Sequence, residues 1–170
     1  MPNELMAESQ LTRLRLEEFH QPEHSVYAGN MRFMVPVKPH RLAVGLVIYQ
    51  TGLEALRSQY MALVVVPGWL GFYDADGVRE YVPFDEITRI RRESMGNVTV
   101  FVPDPEGNLR PVTRRDSAGV SLEIVREDNF TDEIRFATRK PHQADQWHSL
   151  LSQARRAFER GETLAGDIQI

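Results

Sequence analysis

Residues 63–92 decide the fold and read LVVVPGWLGFYDADGVREYVPFDEITRIRR. The stretch opens with an apolar, β-branched run that is typical of a buried strand. Pro67-Gly68 interrupts this run. Because proline removes a ladder donor and glycine tolerates unusual backbone angles, we expect a bend or bulge before the strand continues at Trp69. Residues 74–77 (DADG) predict a turn, and Pro83 predicts a sheet edge or the end of a strand.

Short strand patterns continue on both sides of this stretch. Alternating or continuous apolar residues separated by turn residues predict strands over residues 31–37, 42–49, 98–102, 109–113, 120–126 and 134–138. Gly96-Asn97 and residues 114–119 predict turns between them. The chain is therefore predicted to be mainly β.

The character of the sequence changes after Pro141. Residues 141–160 carry apolar side chains at three- and four-residue spacing, which predicts an amphipathic helix that begins near the proline and ends at Gly161. Trp147 and Phe158 lie on the apolar stripe. Residues 162–170 are predicted to form a loose tail.

Two features together resemble pleckstrin-homology-like and GRAM-like domains. Residues 82–90 (VPFDEITRI) resemble the family segment I-P-L-x-D-I-x-x-I, and residues 67–72 (PGWLGF) loosely resemble the preceding T-x-x-R-L-x-F, with Pro67 where threonine is usual. A closing helix that carries a tryptophan is the second feature. The resemblance implies a partly open antiparallel barrel that is capped by one C-terminal α-helix and plugged by Trp147 and Phe158. It divides the chain into an extension (1–30), a barrel domain (31–161, closing helix 141–160) and a tail (162–170).

Composition excludes several classes of protein. The 170 residues carry a net charge of −4, which argues against a nucleic-acid partner. The absence of cysteine excludes a disulfide scaffold and thiolate metal sites. No apolar run reaches the roughly 18–20 residues that span a bilayer, and the N-terminus is polar, so we expect a cytoplasmic protein, with peripheral membrane attachment as the alternative.

Catalytic motifs are missing from the sequence. It has no G-x-S-x-G elbow, no glycine-rich phosphate loop and no H-E-x-x-H pair. We therefore expect no enzymatic activity, no cofactor and no metal site.

Arginines form the candidate binding site. Arg89, Arg91 and Arg92 lie at the end of the central stretch, while Arg114 and Arg115 lie in a predicted later turn. Guanidinium groups suit phosphate and carboxylate geometry, and the resemblance implies that basic residues at the open end of the barrel can bind phosphoinositide headgroups. However, the family's ligand residues usually lie in the first hairpin loop, and the corresponding loop here (residues 74–77) is acidic. This favours a protein or peptide partner over an anionic phospholipid headgroup.

Trp69 is a second candidate because it lies beside the Pro67-Gly68 bend. An exposed ring there could enter a partner's groove. The alternative is that Trp69 packs in the core.

Two functions remain open at this stage. The favoured one is a non-catalytic binding or scaffold module that recognises a protein or peptide, with an anionic ligand as a further option. Its partner would add along a sheet edge that contains Pro36 or Pro83. The alternative is a small-molecule-binding barrel, either a lipocalin-like carrier or a small enzyme, which needs an apolar cavity. The oligomeric state stays open.

Overall fold

The computed structural model describes residues 23–28, 31–36, 41–50, 58–74, 77–166 and 168–170. Within these ranges the chain forms one helix, α1 (Pro141–Arg160), and a short 3-10 turn, Phe84–Glu86. Its strands are β1 (Glu23–Ala28), β2 (Met31–Pro36), β3 (Ala43–Gln50), β4 (Gln59–Val66), β5 (Trp69–Asp74), β6 (Gly77–Pro83), β7 (Ile87–Pro103), β8 (Leu109–Val125), β9 (Thr131–Ala137) and β10 (Ile168–Gln169).

An antiparallel sheet in the order β6-β5-β4-β3-β9-β8-β7 forms the body of the domain. The 3-10 turn joins the terminal strands β6 and β7, yet among the described residues no ladder pairs them. The sheet is therefore a curled half-barrel that stays open on one side, and α1 caps it. This confirms the predicted fold class.

The central stretch folds as two successive hairpins. Gly68 has φ 96°, a conformation that costs glycine little, and Val66 pairs with Trp69 across the turn. Pro67-Gly68 therefore reverses the chain between β4 and β5, and the prediction of a bend within one continuing strand is wrong. A turn was predicted at residues 74–77; β5 ends at Asp74, β6 begins at Gly77 and these two residues pair, while residues 75–76 lie outside the described residues. Pro83 ends the terminal strand β6, as predicted.

The strands β7 and β8 form one long hairpin, each 17 residues in length. Turns were predicted at Gly96-Asn97 and at residues 114–119, but both segments lie inside these strands. Gly96 has φ 63° and Asp116 has φ 51°, and the register shifts on both sides of Gly96. The turn residues therefore make β-bulges, which bend the hairpin without ending it.

Apolar side chains cover both faces of β3, β4 and β5. One set packs inside the half-barrel with α1, and the other forms a second cluster that includes Leu46, Val64 and Trp69 together with Val98 and Val100 of the distal β7. β1 pairs with β2, and β2 lies near β4, β5 and β6. Because both faces of β3 and β4 are buried, the sequences of these strands are continuous apolar runs.

The helix α1 follows its predicted bounds. Pro141 begins it, Gly161 caps it with φ 66°, and the Trp147 side chain is 0% exposed. Phe158 differs from the prediction, because its side chain is 43% exposed. Its ring centroid lies 6.3 Å from that of Phe84, at the rim of the half-barrel, so Phe158 does not plug the interior.

Residues 162–170 end in a strand where a loose tail was predicted. β10 pairs in parallel with β3 at Ala43 and Val44, and the Ile170 amide donates a hydrogen bond to the Val44 carbonyl (3.0 Å). Leu164 and Ile170 are half-buried against the core. The tail thus adds a strand to the sheet.

Candidate functional site

Arg89 and Arg91 lie on the same face of β7. Their ladder partners on β8 are Glu123 and Ser121, and Ile90 between them turns to the opposite face and packs against the core. Both arginine side chains are exposed, and within the described part of the chain neither takes part in an ion pair. These two guanidinium groups are available to a partner.

Arg92 and Arg114 are engaged within the fold. Arg92 Nε lies 2.6 Å from Asp145 Oδ1, so this side chain turns towards α1. Arg114 Nε donates a hydrogen bond to the Tyr60 hydroxyl (3.0 Å), and its guanidinium carbon lies 5.9 Å from the Tyr60 ring centroid. Both groups would have to leave these contacts before they could bind a ligand.

Arg115 is exposed on β8 and lies within the bulge between Arg114 and Ser117, which pair with Val98 and Gly96. It lies in a strand rather than in the predicted loop. Because neighbouring residues of a strand face opposite ways, Arg91 and Arg92 also diverge. The structure therefore brings Arg89 and Arg91 together on one face and places Arg92, Arg114 and Arg115 elsewhere.

A mixed-charge ladder lies beside Arg89 and Arg91. Arg135 of β9 lies 3.5 Å from Glu93 and 3.5 Å from Glu133, measured between guanidinium nitrogen and carboxylate oxygen. Ser121 donates a hydrogen bond to Glu133 Oε1 (3.0 Å). These carboxylates already have partners, which leaves the positive charge at Arg89 and Arg91 uncompensated by salt bridges.

The first half of β7 is also an edge of the sheet. It pairs with β8 on one side, and among the described residues no ladder runs along its other side from Ile87 to Ser94. The helix α1 packs near this edge, through the Arg92–Asp145 pair. An open row of backbone amides and carbonyls therefore runs alongside Arg89 and Arg91.

Trp69 does not belong to the site. Its side chain is 6% exposed and its ring meets Tyr81 edge-on, with centroids 5.2 Å apart. It packs in the second apolar cluster, because the hairpin turn at Pro67-Gly68 directs β5 back along β4. The interpretation of Trp69 as an exposed partner contact is wrong, and the core alternative is confirmed.

An ion cluster that the sequence analysis missed links the two sides of the open half-barrel. Arg126, just after β8, pairs with Glu80 of β6 (2.7 Å) and with Glu86 of the 3-10 turn (3.2 Å). Burial raises the pKa of Glu86, while Arg126 opposes that rise. Arg126 is 40 positions from Glu86 and 46 from Glu80 in sequence, so no local pattern could reveal the cluster.

Tyr49 lies inside the half-barrel and near this cluster. Burial, with a smaller contribution from the charges of Glu80 and Asp132, raises the pKa of its phenol to about 12. The phenol therefore stays neutral at physiological pH.

Aromatic side chains fill the interior of the half-barrel. Ring centroids are 4.9 Å apart for Tyr49 and Phe72, 5.8 Å for Phe72 and Phe136, and 6.2 Å for Phe136 and Trp147. This chain of contacts runs from the sheet to α1 through fully packed residues. It occupies the space that a carrier would need for its ligand.

Within the described ranges, no group of three or more histidine, aspartate or glutamate side chains is arranged to hold a metal ion. No helix in those ranges combines the length and the apolar character needed to cross a bilayer.

The domain consists of a curled antiparallel sheet that is closed at one end by a C-terminal helix. The architecture fits a pleckstrin-homology-like fold. Among solved structures, the C-terminal PH domain of human pleckstrin matches with a TM-score of 0.42 and 15% sequence identity, over 84% of this chain and 97% of that domain. No protein-family model matches the chain, and no curated protein matches its sequence.

Proposed function

We propose that the chain is a non-catalytic binding module that takes a protein or peptide partner along the open edge of β7. The partner lies extended beside residues 87–94 and adds a strand to the sheet. An acidic side chain of the partner pairs with Arg89 and Arg91. The observation that carries this proposal is the pair of exposed arginines on a terminal strand, neither of which has an ion-pair partner among the described residues.

Backbone hydrogen bonds supply the affinity in this mode of binding, and side chains supply the specificity. A strand added to β7 satisfies amides and carbonyls that otherwise face solvent. Arg89 and Arg91 point to one face of the sheet, so they select a carboxylate at the matching position of the added strand. The partner is therefore expected to alternate acidic and other residues.

The geometry favours a protein partner over an anionic lipid headgroup. A headgroup needs several cations that converge on one point, and here Arg92 and Arg114 are held by Asp145 and Tyr60. The strand edge instead offers a row of donors and acceptors. The packed interior leaves the carrier alternative without a specific observation in its favour.

Selection from a displayed library of random peptides tests the proposal. We expect selected peptides to be enriched in Asp and Glu, and to shift the NMR amide signals of residues 87–94. The double variant Arg89→Glu with Arg91→Glu should weaken binding at least tenfold, because it reverses both charges.

A matched variant controls for net charge. Arg139→Glu with Arg156→Glu makes the same change at two exposed positions away from β7, and binding should stay within about twofold of wild type. Peptides that shift signals away from β7, or that bind both double variants equally well, would contradict the proposed site.

A further inference from the structure

The first half of β3 has an edge that β9 does not reach. Among the described residues, β9 pairs with β3 at Ile48, Tyr49 and Gln50, and β9 ends at Ala137 opposite Ile48. β3 extends past this point towards Ala43. The gap beyond the end of β9, which we call the β3 slot (the free edge of residues 43–47), is where β10 lies.

The tail is held in the β3 slot by few contacts. The Ile168 amide donates to the Leu42 carbonyl (2.9 Å) and the Ile170 amide donates to the Val44 carbonyl (3.0 Å). Ile168 is 47% exposed, and among the described tail residues only Leu164 and Ile170 are half-buried against the core. Segments with little buried apolar surface and exposed backbone bonds open locally at low cost.

Two glycines show that the slot is shaped for an extended strand. A Cβ atom on Gly45 would lie 2.8 Å from the Ile170 carbonyl oxygen and 2.8 Å from Trp147 Cζ2. A Cβ atom on Gly166 would lie 2.5 Å from Leu42 Cα. All three distances are too short for a side chain, so the slot accepts a strand that has glycine two positions before its first paired residue.

Trp147 lies at the floor of the slot with one unmet hydrogen bond. Its Nε1 is buried and has no acceptor in the described protein. Cζ2, the atom that approaches Gly45, is separated from Nε1 by a single ring carbon. A buried donor without an acceptor is costly, so a segment that offers an oxygen to Nε1 would bind better than the tail does.

We propose that the β3 slot is a second strand-binding site, which the chain's own tail occupies and from which a partner's segment displaces it. The partner segment is extended, runs parallel to β3 and has the pattern Gly-x-apolar-x-apolar, as Gly166, Ile168 and Ile170 have. This site is separate from the β7 edge, and the proposal does not depend on binding there.

A labelled peptide of residues 162–170 (ETLAGDIQI) is the probe, and three forms of the full chain are compared by fluorescence anisotropy. In the first form, Ala43→Cys with Ile168→Cys locks the tail by a disulfide, because these residues are ladder partners and the chain has no other cysteine. The second form is wild type. In the third, Ile170→Asp unseats the tail by placing a charge against the core.

We expect peptide affinity to rise from the locked form through wild type to Ile170→Asp, with at least tenfold between the first and the last. The tail competes at the high effective concentration of a short linker, so its state controls access. Binding should also shift the indole N–H signal of Trp147. A reducing agent should restore binding to the locked form and leave wild type unchanged.

A peptide with Gly166→Val is the matched control, since its extra side chain meets Leu42. It should bind Ile170→Asp at least tenfold more weakly than the tail peptide. Equal affinity of the tail peptide for the locked form, wild type and Ile170→Asp would overturn the proposal, as would equal binding of the two peptides. If Ile170→Asp does not fold, peptide affinity is compared among the locked, reduced and wild-type forms. Equal affinity for these three forms would then overturn the proposal.

Discussion

Replacing Trp147 by alanine tests whether α1 closes the half-barrel. Trp147 is 0% exposed and meets the Phe136 ring edge-on at 85°. Removing a fully buried large aromatic costs about 3–5 kcal/mol of unfolding free energy, through lost burial and the cavity that remains. For a chain of this size each kcal/mol lowers Tm by about 2–4 °C, so the loss amounts to about 6–20 °C.

Urea unfolding followed by circular dichroism and by the fluorescence of Trp69 measures this change. Trp147→Phe is the matched control, because it keeps a ring against Phe136 and should cost only about 1–2 kcal/mol. A loss below about 1 kcal/mol for Trp147→Ala, with an unchanged denaturant slope, would refute the conclusion that α1 packs as a closing element.

Three further predictions concern charge. Arg126→Met should lower the unfolding free energy by about 1–2 kcal/mol, because Glu80 and Glu86 lose their partner. The control Arg155→Met loses only the exposed pair with Glu159 and should cost under about 0.5 kcal/mol in the same urea assay. The pKa of Tyr49 is raised from 10.0 to about 12, so the folded state holds the phenol proton more tightly than the unfolded chain does. The unfolding free energy should therefore fall as pH rises from about 10 to about 12, and it should fall less in Tyr49→Phe. At physiological ionic strength wild type should bind anionic vesicles no better than neutral ones, since Arg92 and Arg114 are held by Asp145 and Tyr60. A lipid ligand would be supported instead if binding to anionic vesicles is salt-sensitive and is lost when four arginines are changed to Glu: Arg91, Arg92, Arg114 and Arg115.

Local patterns predicted the elements whose formation depends on neighbouring residues. The helix bounds follow from Pro141 and Gly161, because helix ends are set by backbone chemistry within one turn. Pro83 was predicted at an edge because a residue without an amide hydrogen cannot serve a central strand.

The same patterns failed where a turn signal has two structural outcomes. Gly96 and Asp116 have the positive φ that a turn needs, and a bulge within a strand needs it as well. Which of the two forms depends on whether the strands on either side find partners, and here the two halves of β7 and β8 do.

The candidate site, like the fold, was predicted from the sequence only in part. Sequence alone identified the arginines as a group, since guanidinium chemistry is a property of the residue. It could not separate Arg89 and Arg91 from Arg92 and Arg114, because the partners Asp145 and Tyr60 lie about 50 residues away along the chain.

The sequence by itself determined a mainly β domain, its closing helix and the buried Trp147, because these follow from short-range spacing and from the burial of apolar side chains. Only the tertiary structure decided that the tail pairs with β3, that Arg126 links Glu80 with Glu86, and which arginines remain available to a partner. Each of these depends on contacts between segments far apart in sequence, and the curvature of the sheet, rather than any local pattern, brings those segments together.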